Sequence, residues 1–537
     1  MNAQRSNNYF IWIALCTLLA LVAIVRVRLL NMPLERDEGE YAYLGRLILE
    51  GIPPYKIAYS MNFPGTYFMY AFFMSIFGAT PVGIHLGLLT VNLASIFLLF
   101  LLGRKFAGNF GAFAAASAYA FLSLSPSVLG FATHATHFIV LPALAGTLLL
   151  LKATAKEKTN LYFFAGLLLG CAPIMKQQGL FFPLFGGLFM ILNYIFFNRA
   201  RIKSFSLHLG IFCLGIFIPI AIMFILLNIW GVFGKFWFWT IEYAASYVNE
   251  MPLKEAYSIF ISGFSIVLEG CYLYWIIAAL GIIALFLKRN NQNKAGVLFI
   301  VLFFLFSFLS ICLGYYFRTH YFITLLPAVA LLNGVFIDYV YSSSKQNKKF
   351  RSFKYVSYGL FILPLAIGIN AQQNELFNFE PDMISKKYFG INPFPESMEI
   401  ARYINTHSAK EDKIAVLGSE PQILFYADRH SATGYLYTYS LMEKTKHSLD
   451  MQKEMTREIE NGNPRFIVLV NIPLSWLVRP YSEKYIFDWT RQYITVDKFQ
   501  LKGFIEVSPT GASYNWDDAA LNYQPRSVNI IQIFERK

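Results

Sequence analysis

Charge is what this sequence has least of. Of its 537 residues only 14% are Asp, Glu, Lys or Arg, whereas 56% are hydrophobic and 18% aromatic. An ordinary soluble domain carries about a quarter of its residues as charges, because water must solvate its surface. A chain this long and this poor in charge cannot cover a water-facing surface, which excludes a cytosolic enzyme and a disordered chain. Cysteine is scarce as well. Cys16, Cys171, Cys213, Cys271 and Cys312 all fall in or beside apolar runs without metal-type spacing, so they read as small buried hydrophobes. The net charge of +13 invites a nucleic-acid partner, but the placement of the charges gives it another meaning.

Long apolar runs are what the chain has in abundance. A bilayer core of about 30 Å takes roughly 20 apolar residues per helix. Eleven segments qualify: 9–30, 81–103, 109–127, 131–151, 160–175, 179–198, 205–229, 264–287, 295–314, 320–341 and 355–371. The first is expected to remain as a span, since its apolar run is long and no small-x-small cleavage site precedes the polar stretch at 31–40. With the N-terminus inside, the cytoplasmic loops are 104–108, 152–159, 199–204, 288–294 and 342–354. They hold Arg104, Lys105, Lys152, Lys156, Lys158, Arg199, Arg201, Lys203, Lys288, Arg289, Lys294, Lys345, Lys348, Lys349, Arg351 and Lys354, sixteen basic residues against one acid, Glu157. That is the positive-inside rule obeyed five times in succession. The basic surplus is a topology signal, and the nucleic-acid reading falls.

The opposite loops are acidic and aromatic. Residues 1–370 contain eleven acids, nine of them on the outer side or at its membrane edge, including Glu35, Asp37, Glu38, Glu40 and Glu50. The first outer loop, 31–80, contains amphipathic pieces at 41–50 and 66–77 that suit the interface. The loop at 230–263 carries Trp230, Phe236, Trp237, Phe238, Trp239, Tyr243 and Tyr247, aromatics of the kind that sit at headgroup level. Beyond residue 371 the composition changes: residues 372–537 hold 21 of the 32 acids and no long apolar run. Strands are expected at Lys413–Gly418 and Phe466–Val470, helices at 420–427 and Lys444–Asn461, and further strands near 494–507 and 528–534. The chain therefore divides into a membrane module, 1–371, and an extracytoplasmic α/β domain, 372–537, the latter without cysteine, phosphate loop, metal cluster or nucleophile elbow.

Three polar constellations interrupt the apolar pattern on the outer side. Glu35-Arg36-Asp37-Glu38-Gly39-Glu40-Tyr41 follows the first span. Solvated surface accounts for such acids; crowded carboxylates beside an apolar wall are also where proton-accepting chemistry becomes feasible. Met175-Lys176-Gln177-Gln178-Gly179 separates two apolar runs. It reads equally as a turn and as a lysine presented to a phosphate. Tyr315-Tyr316-Phe317-Arg318-Thr319-His320-Tyr321 stands at a membrane edge, suited to interfacial anchoring or to an arginine gripping phosphate oxygens in pairs. His134 and His137, near Thr133 and Thr136, supply only two ligands from one helix, so hydrogen-bonded core histidines are expected rather than a zinc site.

Four stretches in order, RDEGEYAYLGRLILEGIPPY (36–55), NFPGTYFMYAFFMSIFG (62–78), GLLLGCAPIMKQQGLFFPL (166–184) and HYFITLLPAVALLNG (320–334), resemble the dolichyl-phosphate-mannose-protein mannosyltransferase superfamily, the GT-C glycosyltransferases. The resemblance is nearest to the bacterial members related to the lipid A aminoarabinose transferase. It covers roughly residues 1–370 and implies a polytopic α-helical GT-C fold of about eleven transmembrane helices in the cell membrane. The implied activity is inverting transfer of a sugar, hexosyl or pentosyl, from a polyprenyl-phosphate carrier to a lipid, glycan or protein acceptor at the outer face. Asp37 matches the family's acidic residue and would be the general base, with Glu38 supporting or orienting it. Lys176, Arg318 and Lys56 would grip the lipid phosphate, with Gln177, His320, Tyr321, Tyr41 and Asn62 lining the site. The family's first-loop Lys-Pro-Pro is replaced here by Asn62-Phe63-Pro64-Gly65, so by the resemblance that phosphate contact is either vacant or moved to Lys56 or Lys176. His137 stands where many relatives carry an acid, so no catalytic metal and no cofactor is expected. The rival classes are a transporter or flippase, disfavoured by the absence of internal repeats and midplane acids, and a membrane-anchored protein whose tail binds glycan without catalysis.

Overall fold

The computed structural model describes residues 2–197, 202–249, 253–287, 294–346 and 351–537. Arg199, Arg201, Lys288, Arg289, Lys348 and Lys349, and the side chain of Tyr247, lie outside what it describes. Each of the eleven apolar segments falls on helix. Helix α1 (Asn2–Arg28) leads to α2 (Arg36–Leu49) and α3 (Gly65–Phe77), then to α4 (Pro81–Gly103), α5 (Asn109–Leu124), α6 (Ala135–Lys156) and α7 (Thr159–Met175). After a short 3-10 turn at Gln177–Leu180 come α8 (Phe181–Phe197), α9 (Ile202–Ile229), α10 (Phe233–Trp237), α11 (Ala244–Asn249), α12 (Leu253–Leu268), α13 (Tyr272–Leu287), α14 (Lys294–Ile311), α15 (Leu326–Gln346) and α16 (Phe353–Ala371). Among the described residues eight helices are long and apolar enough to cross a membrane, and α5 and α7 are shorter apolar helices. The chain is a multi-pass membrane protein.

The segment expected as one span at 264–287 is two helices. α12 and α13 meet at a bend of 110°, where Gly270 adopts φ +66°, a left-handed conformation that glycine takes without penalty. Hydropathy could not register this, because both arms are apolar. Helix starts follow local chemistry: Thr80 caps α4, accepting from the Gly83 N–H, with Pro81 in the first turn. Arg26, buried inside α1, donates to Asn92 Oδ1 at 2.9 Å and to the Ser123 and Gly130 carbonyls, both at 3.2 Å. Those bonds tie the linker between α5 and α6 to the first span and satisfy a charge that lipid could not solvate.

The chain reverses so that Arg104, Lys105, Lys156 and Lys158 gather at one end of the bundle. Asp37, His134, Lys176 and Arg318 gather at the other, under the C-terminal domain. That domain is a six-stranded mixed sheet in the order β2-β1-β3-β6-β4-β5, with β1 (Lys413–Leu417), β2 (His430–Ser431), β3 (Phe466–Asn471), β4 (Phe499–Ser508), β5 (Gly511–Trp516) and β6 (Ile530–Arg536). β1 pairs in parallel with β2 and β3, while β6 runs antiparallel between β3 and β4. The expected helices appear at Pro421–Ala427 and Ser448–Gly462. β2 and β5 have no forecast: β2 is only two residues long, and β5 is an edge strand whose exposed or half-buried side chains carry no burial alternation to read.

The sheet domain docks onto α2 and the loops around it. Gly39 allows this, since a Cβ there would meet the Gln422 backbone nitrogen at 2.6 Å. Arg36 forms a buried ion pair with Glu420 at 2.6 Å, Arg46 binds Asp428 at 2.9 Å, and the Tyr43 hydroxyl accepts from the Ser431 N–H at 2.8 Å. The same docking changes the role of the aromatic loop after α9. Trp237 is exposed, but Phe236, Trp239 and Tyr243 are buried. Trp239 stacks on Tyr59 with ring centroids 5.5 Å apart, and Tyr243 bonds Glu443 of the C-terminal domain. These rings form a seam between domains rather than a membrane anchor.

Candidate functional site

The site is assembled from the first turn of α2 outward. Glu35 and Glu38 form a reciprocal capping box: the Glu35 carboxylate accepts from the Glu38 N–H at 3.1 Å, and Glu38 accepts from the Glu35 N–H at 3.2 Å. The other Glu38 oxygen accepts from the Thr133 N–H at 2.6 Å and meets His85 Nε2 at 3.1 Å. Glu38 is 1% exposed and does not line the cavity described below. Its burial raises its pKa, and His85 with the Thr133 N–H more than reverses this, holding it below the usual carboxylate range. Glu38, expected from sequence to support or orient Asp37, is thus a pin that fixes the residue before His134.

Asp37 points the other way, into a cavity of about 830 Å³ enclosed by α2, the 59–62 loop, the break after α7, the π-helical turn at Phe238–Tyr243, the stretch after α14 and the C-terminal domain. The Tyr437 hydroxyl donates to Asp37 Oδ1 at 2.9 Å. Burial pushes the Asp37 carboxyl up, but Lys176, Arg318 and the Tyr437 hydrogen bond outweigh it and leave the group below its ordinary value. Its neighbours titrate differently. Burial, followed by the charges of Asp37 and Glu38, raises Glu35 well above the carboxylate range. Burial raises Glu40 to about 8, against the stabilising hydrogen bonds of Ser60 and Asn62. One carboxylate is therefore held ionised beside two that are held neutral, the separation of roles that acid and base chemistry in one pocket requires.

The cationic side of the cavity comes from two distant breaks in the apolar pattern. Pro173 and the 3-10 turn end α7, and Lys176 leaves it in an extended conformation with Nζ 4.9 Å from the centre of the Tyr321 ring. Arg318 lies over the Tyr316 ring. Of the residues anticipated from sequence, Asp37, Asn62, Lys176, Gln177, Arg318, His320 and Tyr321 share this one cavity. Tyr41 does not; it is packed against Tyr67 and Tyr70, with centroids 6.0 and 5.5 Å away. Lys56 is exposed outside the cavity, its carbonyl facing Lys235 Nζ at 3.5 Å.

The hydrogen-bonded core histidine expected at His134 is buried, but neither of its ring nitrogens has a hydrogen-bond partner. Its ring stacks on His320 at 4.1 Å between centroids, while His137 is buried away from the cavity. Burial lowers His134 to about 4 and His320 well below the usual imidazole range, so both rings are neutral. Both His134 nitrogens and His320 Nε2 are buried without a hydrogen-bond partner. One donor atom each from Asp37, His134 and His320 lies within 4.8 Å of the others. Two neutral imidazoles and a carboxylate with unsatisfied nitrogens are a donor set that fits a divalent ion such as zinc. The third member was hidden from the sequence because His320 is 186 positions further along the chain.

Residues 62–224 match the family model for dolichyl-phosphate-mannose-protein mannosyltransferase. No curated protein matches the chain by sequence. Among solved structures, ArnT from Cupriavidus metallidurans bound to undecaprenyl phosphate is 14% identical with a TM-score of 0.60, covering 97% of this chain and 98% of its own. The archaeal oligosaccharyltransferase AglB from Archaeoglobus fulgidus, in complex with an inhibitory peptide and a dolichol-phosphate, is 12% identical with a TM-score of 0.52, covering 96% of this chain and 75% of its own. The likeness to both extends over the membrane helices and the C-terminal domain together.

Proposed function

We propose that this chain, a member of the GT-C membrane glycosyltransferases, transfers one sugar from a polyprenyl-phosphate carrier to a hydroxyl-bearing lipid, glycan or protein acceptor, with inversion at the anomeric carbon. The observation that carries the reading is the meeting of Asp37, Lys176 and Arg318 around one cavity, although they lie in three segments of sequence far apart. An ionised carboxylate faces two fixed cations across a space large enough for a sugar and a phosphate.

In the proposed reaction Asp37 takes the acceptor's hydroxyl proton as the oxygen attacks the anomeric carbon. Free alcohols are far weaker acids than the aspartate carboxyl, whose ordinary pKa is about 3.9, so proton transfer and attack proceed together. A positioned base contributes about 10²–10⁴-fold. Tyr437 occupies Oδ1 and so leaves Oδ2 as the accepting atom. As the anomeric C–O bond breaks, negative charge collects on the carrier phosphate, and Lys176 and Arg318 stabilise it. One such donor contributes about 3–4 kcal/mol. Glu35 and Glu40, held neutral, do not add repulsion against that phosphate.

Asp37, His134 and His320 are the residues that would hold a divalent ion, which would supply Lewis-acid stabilisation of charge; the base mechanism above does not call on it. The acid-rich face carrying the cavity is the extracytoplasmic one in this reading, because the basic loops collect at the opposite end of the bundle. The test is mass spectrometry of envelope glycoconjugates from cells with and without the gene. A glycoconjugate lighter by one pentose or hexose in the deletion supports the reading and names the acceptor; identical profiles under conditions of expression refute it.

A further inference from the structure

The break after α7 contains a side chain that base and cations leave unused. Gln178 is 2% exposed and lines the cavity, yet neither its Nε2 nor its Oε1 has a hydrogen-bond partner. Its neighbours are engaged. Gln177 donates to the Met61 carbonyl at 2.8 Å, the Gly179 N–H bonds the Lys176 carbonyl at 2.8 Å, and a Cβ on Gly179 would meet the Ala172 carbonyl at 2.1 Å. The turn is held in place, and it holds the amide in the wall.

Buried amides without partners are costly and uncommon in native proteins, so the identity of the missing partner is informative. A primary amide offers two N–H donors and a carbonyl acceptor. Phosphate oxygens only accept, so a phosphate would leave Oε1 bare. A cation would satisfy Oε1 and leave the N–H groups bare. The orphaned nitrogens of His134 and His320 are less demanding, since an anion or a metal serves each alone. Two adjacent hydroxyls give both ends of the amide a partner: one donates to Oε1 and the oxygen of the next accepts from one Nε2 N–H. In the donor lipid such hydroxyls sit on the ring joined directly to the phosphate, and Lys176, the proposed phosphate contact, is two residues away.

We propose that Gln178 is a specificity-determining residue that reads two adjacent hydroxyls of the transferred sugar. This rests on the reading of the chain as a polyprenyl-phosphate-sugar transferase. The amide adds affinity for the sugar-loaded carrier and none for the bare carrier. It also makes the empty protein less stable than an apolar isostere would.

The test uses the full-length protein in lipid nanodiscs, comparing binding of undecaprenyl phosphate with undecaprenyl phosphate carrying arabinose, glucose, mannose or galactose. Wild type is expected to bind at least one loaded lipid more tightly than the bare one. Gln178→Met, which keeps the side-chain length, is expected to lose about tenfold or more for that loaded lipid, to leave undecaprenyl phosphate affinity unchanged, and to melt no lower than wild type. A variant that keeps the sugar-dependent gain, or weakens both lipids equally, overturns the assignment, as does a wild type that binds the bare carrier without preferring any loaded one. Wild type binding neither kind of lipid would instead overturn the transferase reading itself.

Discussion

Replacing Tyr437 with Phe removes one hydroxyl and tests whether the C-terminal domain takes part in the reaction. The residue belongs to that domain, is half-buried, and donates to Asp37 Oδ1 at 2.9 Å. A hydrogen bond to an ionised group is worth about 1.5–3 kcal/mol. If Tyr437 orients the base, that amount appears in kcat as a loss of roughly 10- to 100-fold, because the bond shapes the base rather than the binding of either substrate. KM for donor and acceptor is expected to stay within about twofold. Docking of the domain is expected to survive, since Arg36–Glu420 and Arg46–Asp428 remain, so the melting temperature should fall by no more than the loss of this one hydrogen bond accounts for. The sign of the pH effect follows from the Asp37 shift. Its carboxyl is held below its ordinary value partly by this hydrogen bond, so the acid limb of kcat moves to higher pH in Y437F. The assay is release of undecaprenyl phosphate from a loaded donor in nanodiscs across pH. Wild-type kcat in the variant would refute the positioning role. A raised KM at constant kcat would mean that Tyr437 contacts substrate instead.

Two further predictions use other parts of the cavity. Glu40 is raised to about 8 in the fold, against about 4.3 for an unperturbed glutamate. Between those values the unfolded chain loses a proton that the fold retains, so stability contributed by Glu40 is full at low pH and falls as pH rises towards 8. Glu40→Gln should therefore melt higher than wild type at pH 8, by an amount on the order of a few kcal/mol, with the gap closing towards pH 5; a constant gap would place the titration elsewhere. Treatment with EDTA should leave turnover unchanged if Asp37 is free to act as base. Loss of activity restored by zinc would make Asp37, His134 and His320 a working metal site.

Sequence carried the membrane module well because lipid imposes a one-dimensional rule: a helix that must satisfy its backbone internally and face hydrocarbon is written as a continuous apolar run. The same rule exposed the site by contrast, since Asp37, Lys176 and Arg318 are polar where the pattern otherwise is not. What stayed hidden is tertiary. Glu38 and Asp37 are adjacent in sequence, yet one turns towards Thr133 and the other into the cavity, a difference set by the capping box and by His85 on α4. His134 finds its partner in His320 rather than in His137, one helical turn away. Tyr437 and Gln178 gain meaning only when the sheet domain closes over α2. The bend between α12 and α13 had a local signal in Glu269-Gly270, which an average over apolar residues erases.

The central claim is that the Asp37 carboxylate is the base of a sugar transfer from a lipid phosphate, and Asp37→Asn tests it with the least change of shape. The measurement is turnover and donor binding on the same nanodisc preparation. The account predicts turnover reduced by about 10²–10⁴-fold with undecaprenyl phosphate binding retained through Lys176 and Arg318. Turnover within a few-fold of wild type would contradict it.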